Sequence, residues 1–267
     1  MTQLSSERRT AEAIARLAGR HILRERAERL DVSLKAPDDV VTNVDKSTER
    51  LIVDRLRDAF PDDTIAGEEF GESHRADNAD GDRTWLIDPI DGTLNFSHGI
   101  PLFCVSIALQ VDGETVVAVI YDPNRDEMFS ASQNGGAHLD GVPISVSSLD
   151  DASAAVLVTG FPLKRSAPFE ATLDQFELLT RTCRGIRRLG SAAIDLAYVA
   201  AGRMEAFWEY SLKPWDTAAG ILLVEEAGGQ VTTVDGGPFD VHAPSILATN
   251  GVLHDELLEL LQSVSGC

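Results

Sequence analysis

Two aspartates separated by two residues follow an apolar segment in the first half of the chain. Residues 85–87 (Trp-Leu-Ile) predict a buried strand, and residues 88–93 (Asp-Pro-Ile-Asp-Gly-Thr) come directly after it. Hard cations prefer oxygen ligands, and the carboxylates of Asp88 and Asp91 beside one strand end can share them. The backbone amides that follow could open a helix, and the start of a helix binds phosphate. The pattern therefore indicates metal-assisted phosphoryl chemistry.

Two more acidic residues also stand where a predicted element begins or ends. Glu68 follows a short strand at Gly67, and Asp216 is predicted to open a helix. A lone Asp at a helix start is usually a cap, and a lone Glu after a strand is usually solvated. The functional interpretation therefore depends on the combination, and chiefly on the 88–93 motif.

Composition limits the classes of function. With 267 residues the chain can form one large domain or two intimate subdomains. Its net charge of −20 argues against nucleic-acid binding, which uses basic surfaces. Lysine is scarce and aspartate abundant, which indicates an acidic surface. Adaptation to high salt and a GC-rich genome are both compatible with this bias.

The sequence also predicts where the protein resides. No apolar run approaches the ~18 residues that a membrane helix needs, and no basic-then-apolar signal segment opens the chain. We therefore expect a cytoplasmic protein with no membrane partner. Cys104, Cys183 and Cys267 are an odd number without paired spacing, which argues against a disulfide scaffold or a cysteine zinc site.

Apolar spacing predicts the order of the elements. One helix capped by Ser5 or Ser6 and a second ending before Pro61 flank a polar loop at residues 35–39. Residues 105–111 and 116–121 predict a hairpin, because the intervening Asp-Gly suits a tight turn. From about residue 150, strands and helices alternate. We expect an α+β subdomain at residues 1–149 and an α/β subdomain at residues 150–267.

Four segments together resemble the inositol monophosphatase family of metal-dependent, lithium-sensitive phosphatases. They are residues 39–45 (Asp-Val-Val-Thr-Asn-Val-Asp), 67–69 (Gly-Glu-Glu), 85–96 and 215–220 (Trp-Asp-Thr-Ala-Ala-Gly). The order and spacing of the 88–93 and 215–220 motifs make the resemblance highly specific. It implies a layered αβαβα sandwich with a mixed, largely antiparallel N-terminal sheet and a smaller C-terminal α/β sheet.

The resemblance also implies the roles of single residues. Glu68, Asp88 and the backbone carbonyl of Ile90 match ligands of a first Mg²⁺ ion. Asp88, Asp91 and Asp216 match ligands of a second ion, and Glu68 would touch a weaker third. Most of these metal ligands lie in the N-terminal subdomain, whereas the C-terminal subdomain supplies Asp216.

Further roles concern water and substrate. Asp45 and Thr93 match a pair that orients the attacking water and helps to deprotonate it. The substrate contacts would come from loops and strand ends of both halves: Asp91, Gly92, Thr93, Ser191, Ala192, Glu209 and Asp216. A cap or surface role for Glu209 is nearly as plausible.

These observations predict a Mg²⁺-dependent phosphomonoesterase that acts on inositol monophosphate or a related small polyol or sugar phosphate. Fructose-1,6-bisphosphatase activity, alone or as a second activity, is the main alternative, and adenosine bisphosphate and histidinol phosphate are less favoured substrates. A non-catalytic interaction protein on the same fold stays open. By analogy with the family we expect a homodimer.

Overall fold

The computed structural model describes residues 3–26, 30–36, 39–74, 83–162 and 167–264. Within them lie the helices α1 (Gln3–Arg26), α2 (Asn43–Ala59), α3 (Thr93–Ser97), α4 (Ala167–Thr182), α5 (Ala192–Ala200), α6 (Pro214–Glu226) and α7 (His254–Val264). The strands are β1 (Val32–Ala36), β2 (Asp39–Thr42), β3 (Thr64–Gly67), β4 (Gly71–His74), β5 (Arg83–Asp91), β6 (Cys104–Val111), β7 (Glu114–Asp122), β8 (Glu127–Ser132), β9 (Ala137–Leu139), β10 (Val142–Pro143), β11 (Val156–Thr159), β12 (Gly185–Arg187), β13 (Ala206–Tyr210), β14 (Gln230–Thr232) and β15 (Ser245–Thr249).

An eight-stranded sheet forms most of the first half, in the order β10-β9-β8-β7-β6-β5-β3-β4. All neighbours in it are antiparallel except β3 and β5, which run parallel. Along β5, Trp85 and Ile87 are buried in one core cluster and Leu86 in another. Burial on both faces explains why this strand is a continuous apolar run rather than an alternating one.

A five-stranded sheet forms most of the second half, in the order β12-β11-β13-β15-β14. Strand β11 runs parallel to β12 and β13, whereas β15 is antiparallel to β13 and β14. This sheet is smaller and mixed, as the sequence predicts.

The helices complete five layers. Helices α1 and α2 pack on the outer face of the large sheet, and α6 packs on its other face through β5 to β8. Helix α5 packs against α6 and against the small sheet, whose other side is covered by α4 and α7. The predicted αβαβα sandwich is confirmed. The division at residue 149 stays a prediction, although α6 of the second half contacts the sheet of the first.

Several local predictions need correction. Residues 35–39 were expected to be a polar loop, but β1 and β2 extend into both of its ends and pair with each other. Helix α6 begins at Pro214, so Asp216 lies inside the first turn instead of opening the helix. The tight turn at Asp112 and Gly113 is confirmed, with φ of 52° and 84°. The polar residues 75–83 predict a surface loop, and all of them except Arg83 lie outside the described residues.

No helix in the described ranges has the length and apolar character that crossing a bilayer requires.

Candidate active site

A cavity of about 170 Å³ lies where the end of β5 meets the first turns of α5 and α6. The sequence predicts eleven site residues, and ten of them line this cavity. The exception is Asp45, which is hydrogen-bonded to the lining residue Thr93. The full lining is Glu68, Asp88, Ile90, Asp91, Gly92, Thr93, Gly160, Arg188, Gly190, Ser191, Ala192, Asp195, Glu209, Leu212 and Asp216.

The end of β5 turns two carboxylates into this cavity. Asp88 and Asp91 are both buried, and the pairing of β5 with β6 becomes irregular between them. Asp88 Oδ1 accepts a hydrogen bond from the Ile90 amide at 2.9 Å. Pro89 has no amide to donate, which suits a place where the sheet pairing is interrupted. The local sequence therefore interrupts the regular strand pairing at the point where Asp88 and Asp91 reach the cavity.

Asp91 also joins the two halves of the chain. Its Oδ2 accepts hydrogen bonds from the Ser191 hydroxyl at 2.7 Å and the Ala193 amide at 2.6 Å. Ser191 occupies the N-cap position of α5 but makes no capping bond with its own side chain. Asp91 instead supplies the acceptor that the first turn of a helix requires.

Thr93 is held between two acceptors. Its Oγ1 lies 3.0 Å from Asp45 Oδ1 and 3.0 Å from the Ile90 carbonyl oxygen. Asp45 is fully buried in the first turn of α2, where its Oδ2 accepts hydrogen bonds from the Thr42 hydroxyl at 2.5 Å and the Thr42 amide at 2.9 Å. This capping box fixes the Asp45 carboxyl, and Thr93 is its connection to the cavity.

The turn that carries Glu68 is held from behind by Glu49. The buried Glu49 carboxylate accepts hydrogen bonds from the Glu69 amide at 2.8 Å and the Phe70 amide at 3.0 Å. A Cβ atom at Gly67 would come within 2.4 Å of Glu49 Oε1, so this position requires glycine. Because Glu49 lies one helical turn after Asp45, helix α2 supports the cavity at two points.

Asp216 comes from the second half of the chain. Its Oδ2 accepts a hydrogen bond from the Lys213 amide at 2.8 Å, which satisfies one of the open donors at the start of α6. The carbonyl oxygen of the preceding Trp215 accepts a hydrogen bond from Ser106 on β6 at 3.2 Å. The first turn of α6 is thereby fixed to the large sheet.

The cavity is electrostatically unfavourable for its own carboxylates. Burial raises the pKa of Asp88 well above its usual value, and the charges of Glu68, Asp91 and Asp216 raise it further. Burial also raises the pKa of Asp91 to about 6, although the hydrogen bonds from Ser191 and Ala193 oppose this. For Asp216, burial and the Asp91 charge raise the pKa to about 8. Carboxyl groups in such a place either hold a proton or are ionised beside a compensating cation.

The donor set fits a hard cation. The four acidic side chains Glu68, Asp88, Asp91 and Asp216 and the nearby Ile90 carbonyl all offer oxygen, the ligand that Mg²⁺ prefers. Across the described ranges, no three acidic, histidine or cysteine side chains lie close enough together to bind one metal ion as they stand. An ion would therefore have to draw these carboxylates together.

Asp195 and Arg188 line the cavity but were not singled out from the sequence. Asp195 lies on α5, where every residue is buried. A single carboxylate in the otherwise apolar segment Ala-Ala-Ile-Asp-Leu-Ala was the signal that could have revealed it, since buried acids are rare without a partner. Arg188 lies in a run of two arginines that resembles ordinary exposed surface.

Comparison with known proteins gives one consistent result. A profile of the Inositol monophosphatase family matches residues 3–265. The protein named Nus factor SuhB of Escherichia coli (strain K12) is 44% identical over 238 residues, which cover 88% of this chain and 88% of that protein. The inositol-1-monophosphatase of Synechocystis sp. is 43% identical over 223 residues, covering 84% of this chain and 77% of that protein.

Solved structures agree with these sequence matches. The crystal structure of the extragenic suppressor protein suhB from Bartonella henselae superposes with a TM-score of 0.90 at 39% identity. The superposition covers 95% of this chain and 97% of that one.

Proposed function

Since the chain belongs to the inositol monophosphatase family, we propose that it is a Mg²⁺-dependent phosphomonoesterase that hydrolyses inositol monophosphate or a related small polyol or sugar phosphate. Two or three Mg²⁺ ions would be its cofactors. Glu68, Asp88, Asp91 and Asp216 would hold these ions together with the Ile90 carbonyl.

The observation that supports this proposal is the meeting of acidic side chains from both halves of the chain in one cavity. Glu68, Asp88 and Asp91 come from the large sheet, and Asp216 comes from α6. Burial and the charges of the neighbouring carboxylates raise the pKa values of Asp88, Asp91 and Asp216. A purely structural site gains nothing from such an arrangement, whereas a site for divalent cations and a phosphate ester requires it.

Thr93 and Asp45 would handle the proton of the attacking water. Bound Mg²⁺ would supply a more acidic water and offset the phosphate charge. The Thr93 hydroxyl can take a proton from that water on Oγ1 while passing its own proton to Asp45 Oδ1, 3.0 Å away. Burial raises the pKa of Asp45, which makes this carboxylate a better base. The reaction would be direct hydrolysis, without a phosphorylated enzyme.

Gly92 and Thr93 would contact the phosphate through their amides. Gly92 has φ of 96°, and a Cβ there would lie 3.0 Å from the Leu102 carbonyl oxygen and 3.1 Å from that of Gly190. Glycine is therefore required for the close approach of the two halves. Because α3 has only five residues, the individual amides would matter here rather than a helix dipole.

The alternative substrate is fructose 1,6-bisphosphate. With either substrate, the proposed binding partner is a small phosphate ester. Three further predictions stay untested: that the protein forms a homodimer, that it is cytoplasmic and that it does not bind nucleic acid.

A second candidate function is that of an interaction protein. The relatives named Nus factor SuhB, at 44% identity, favour it, because that name describes a factor rather than an enzyme. The two functions can also coexist on one fold. The acidic cavity distinguishes them, since binding another protein gives no reason to gather four acidic side chains, two of them buried, around one cavity.

A phosphate-release assay would test the proposal. The purified protein is incubated with inositol monophosphates, fructose 1,6-bisphosphate, adenosine bisphosphate and histidinol phosphate, first without metal, then with Mg²⁺, then with Li⁺ added. We expect Mg²⁺-dependent release, fastest from an inositol monophosphate, and inhibition by Li⁺. No release from any ester by the folded protein would refute the phosphatase and favour the interaction role.

Asp88→Asn provides the matching variant. It removes a charge that the metal needs while keeping the side-chain shape, so Mg²⁺-dependent turnover should fall below detection and the circular dichroism spectrum should not change. Asp54→Asn is the control, because it makes the same change on an exposed face of α2. Turnover by Asp88→Asn at the rate of the control would contradict the assigned metal site.

A further inference from the structure

The side chain of Asn95 connects the two halves of the chain beside the proposed metal ligands. Asn95 lies on α3, shortly after Asp91, and is only 6% exposed. Its Nδ2 donates hydrogen bonds to the carbonyl oxygens of Leu102 at 2.8 Å and Leu189 at 2.7 Å, and the Gly190 carbonyl oxygen lies 3.3 Å from it. One amide group therefore ties α3 to the segment that enters α5.

The hydrogen bonds of Asn95 complement those of Asp91. Asp91 accepts from the Ser191 hydroxyl and the Ala193 amide, whereas Asn95 donates to the carbonyl oxygens of the two residues before Ser191. The two backbones approach closely here, since a Cβ at Gly190 would lie 3.0 Å from Asn95 Nδ2. An acceptor and a donor on one short segment of the first half therefore fix the start of α5.

The start of α5 is connected in turn to Asp216. Helix α5 packs against α6, and a Cβ at Gly220 on α6 would lie 2.4 Å from Leu196 Cδ1 on α5. Such close packing transmits a displacement of one helix to the other. Helix α6 carries Asp216 in its first turn. The position of Asp216 relative to Asp91 therefore depends on how α5 is held, in addition to the direct bond that Ser106 makes with the first turn of α6.

We infer that Asn95 is a positioning residue that sets the separation of Asp91 and Asp216, and so the affinity for the Mg²⁺ ion that these two carboxylates would share. This inference rests on the proposed function and adds a residue to it. Mg²⁺ demands near-ideal octahedral geometry with short bonds, so a small displacement of one ligand weakens its binding. The ligands proposed for the first ion all come from the first half, so that ion should not depend on Asn95.

Asn95→Asp tests the inference, because it keeps the side-chain shape and turns an acceptor toward carbonyl oxygens that need a donor. It should weaken Mg²⁺ binding about tenfold in calorimetric titration, as the loss of residues that support metal ligands does. Asn250→Asp is the matched control. Asn250 is also buried, its Nδ2 donates to the Leu149 carbonyl oxygen at 2.8 Å, and it does not line the cavity. Both variants should lower Tm, but Asn250→Asp should leave the Mg²⁺ affinity unchanged.

Asp216→Asn separates an effect on the shared ion from a general effect. In this background only the ion held by the first half would remain, so adding Asn95→Asp should change its dissociation constant less than about twofold. A further tenfold loss would mean that Asn95 supports the fold in general, and the inference would be overturned. Equal Mg²⁺ affinity of Asn95→Asp and Asn250→Asp would overturn it as well, while the phosphatase would stand.

Phosphate release distinguishes this inference from the proposed function. If the wild-type protein binds Mg²⁺ but releases phosphate from no ester, the phosphatase is refuted, whereas the calorimetric comparison still decides the role of Asn95. If the wild-type protein binds no Mg²⁺, both proposals fail. Asn95→Ala is a second variant, which removes the amide without adding a charge and should weaken Mg²⁺ binding in the same way. Failure of both Asn95 variants to fold would assign Asn95 to stability alone and overturn the inference.

Discussion

Thr93 differs from its acidic neighbours because it carries no charge that could hold a metal. Its hydroxyl lies 3.0 Å from Asp45 Oδ1, and Asp45 itself does not line the cavity. The geometry therefore separates a proton-handling pair from the proposed metal ligands. The two roles can be distinguished by experiment, because loss of the proton-handling pair lowers kcat, whereas loss of a metal ligand weakens Mg²⁺ binding.

Thr93→Val should lower kcat about 10²-fold or more while leaving the Mg²⁺ dissociation constant within about threefold, since general base catalysis contributes ~10²–10⁴-fold to such rates. The kcat is measured at saturating Mg²⁺, and the affinity by calorimetry. Thr93→Ser keeps the hydroxyl and should retain most of the rate. A Thr93→Val variant that recovers the wild-type kcat at high Mg²⁺ would show that Thr93 serves metal binding instead.

Single residues differ in how far the sequence could reveal them. Asp88 and Asp91 stand in a dense, unusual motif after a buried strand, and their place in the cavity could be predicted. Glu49 lies inside α2 among apolar residues of ordinary helical spacing, and no neighbouring motif marks it. Its importance comes from a contact made across 20 residues, with the Glu69 amide, which a local pattern does not contain.

At the scale of elements, helix α2 supports the turn between β3 and β4. The Glu49 carboxylate accepts from the amides of Glu69 and Phe70, which flank Glu68 on its C-terminal side. Charge-assisted hydrogen bonds to backbone amides are stronger than neutral ones. Glu49 is therefore a positioning residue that fixes the orientation of Glu68.

Glu49→Gln should weaken Mg²⁺ binding about tenfold, because its amide group cannot accept from both backbone amides with the same strength as the carboxylate. At saturating Mg²⁺, kcat should stay within about threefold of the wild-type value. Calorimetric titration with Mg²⁺ and a rate measurement at high Mg²⁺ separate the two effects. Asp58→Asn, exposed on the same helix, is the control. If folded Glu49→Gln binds Mg²⁺ with unchanged affinity, Glu49 does not position Glu68 for metal binding.

Elements whose apolar residues recur at a regular spacing could be predicted from the sequence. Elements that form only by pairing with another strand could not. The β6–β7 hairpin follows from alternating apolar residues around Asp-Gly, and the structure has it. Strands β1 and β2 are short, and among the described strands each pairs only with the other. The polar residues between them favoured a loop. Helix α6 begins before its predicted start because Pro214 suits the first position of a helix.

For the molecule as a whole, the proposed site joins the two halves of a strongly acidic chain. The net charge is −20, and several carboxyl groups whose pKa values are raised lie together in one cavity. Asp91 on the large sheet caps α5, while Asp216 on α6 faces the same cavity. Ionisation of these groups therefore acts on the packing between the halves, and so on the stability of the entire fold.

The metal-free protein should lose stability as pH rises from about 4 to about 8. Folding raises the pKa of Asp91 from 3.8 to about 6, that of Asp216 from 3.8 to about 8 and that of Glu209 from 4.5 to about 8. In this window the folded state binds more protons than the unfolded state, so the free energy of unfolding falls as pH increases. Below pH 4 these groups are protonated in both states and their stabilising effect is complete.

Mg²⁺ should oppose this pH dependence, because a bound cation stabilises the ionised carboxylates that destabilise the metal-free protein. We expect the Tm of the metal-free protein to be at least ~3 °C higher at pH 5.5 than at pH 8, since ~1 kcal/mol corresponds to ~2–4 °C for a chain of this size. Saturating Mg²⁺ should raise Tm more at pH 8 than at pH 5.5. Thermal scans at constant ionic strength, with Na⁺ replacing Mg²⁺ in the control, separate specific binding from screening of the acidic surface. An equal rise in Tm with either cation would mean that surface charge, rather than the buried cavity, governs the stability of this protein.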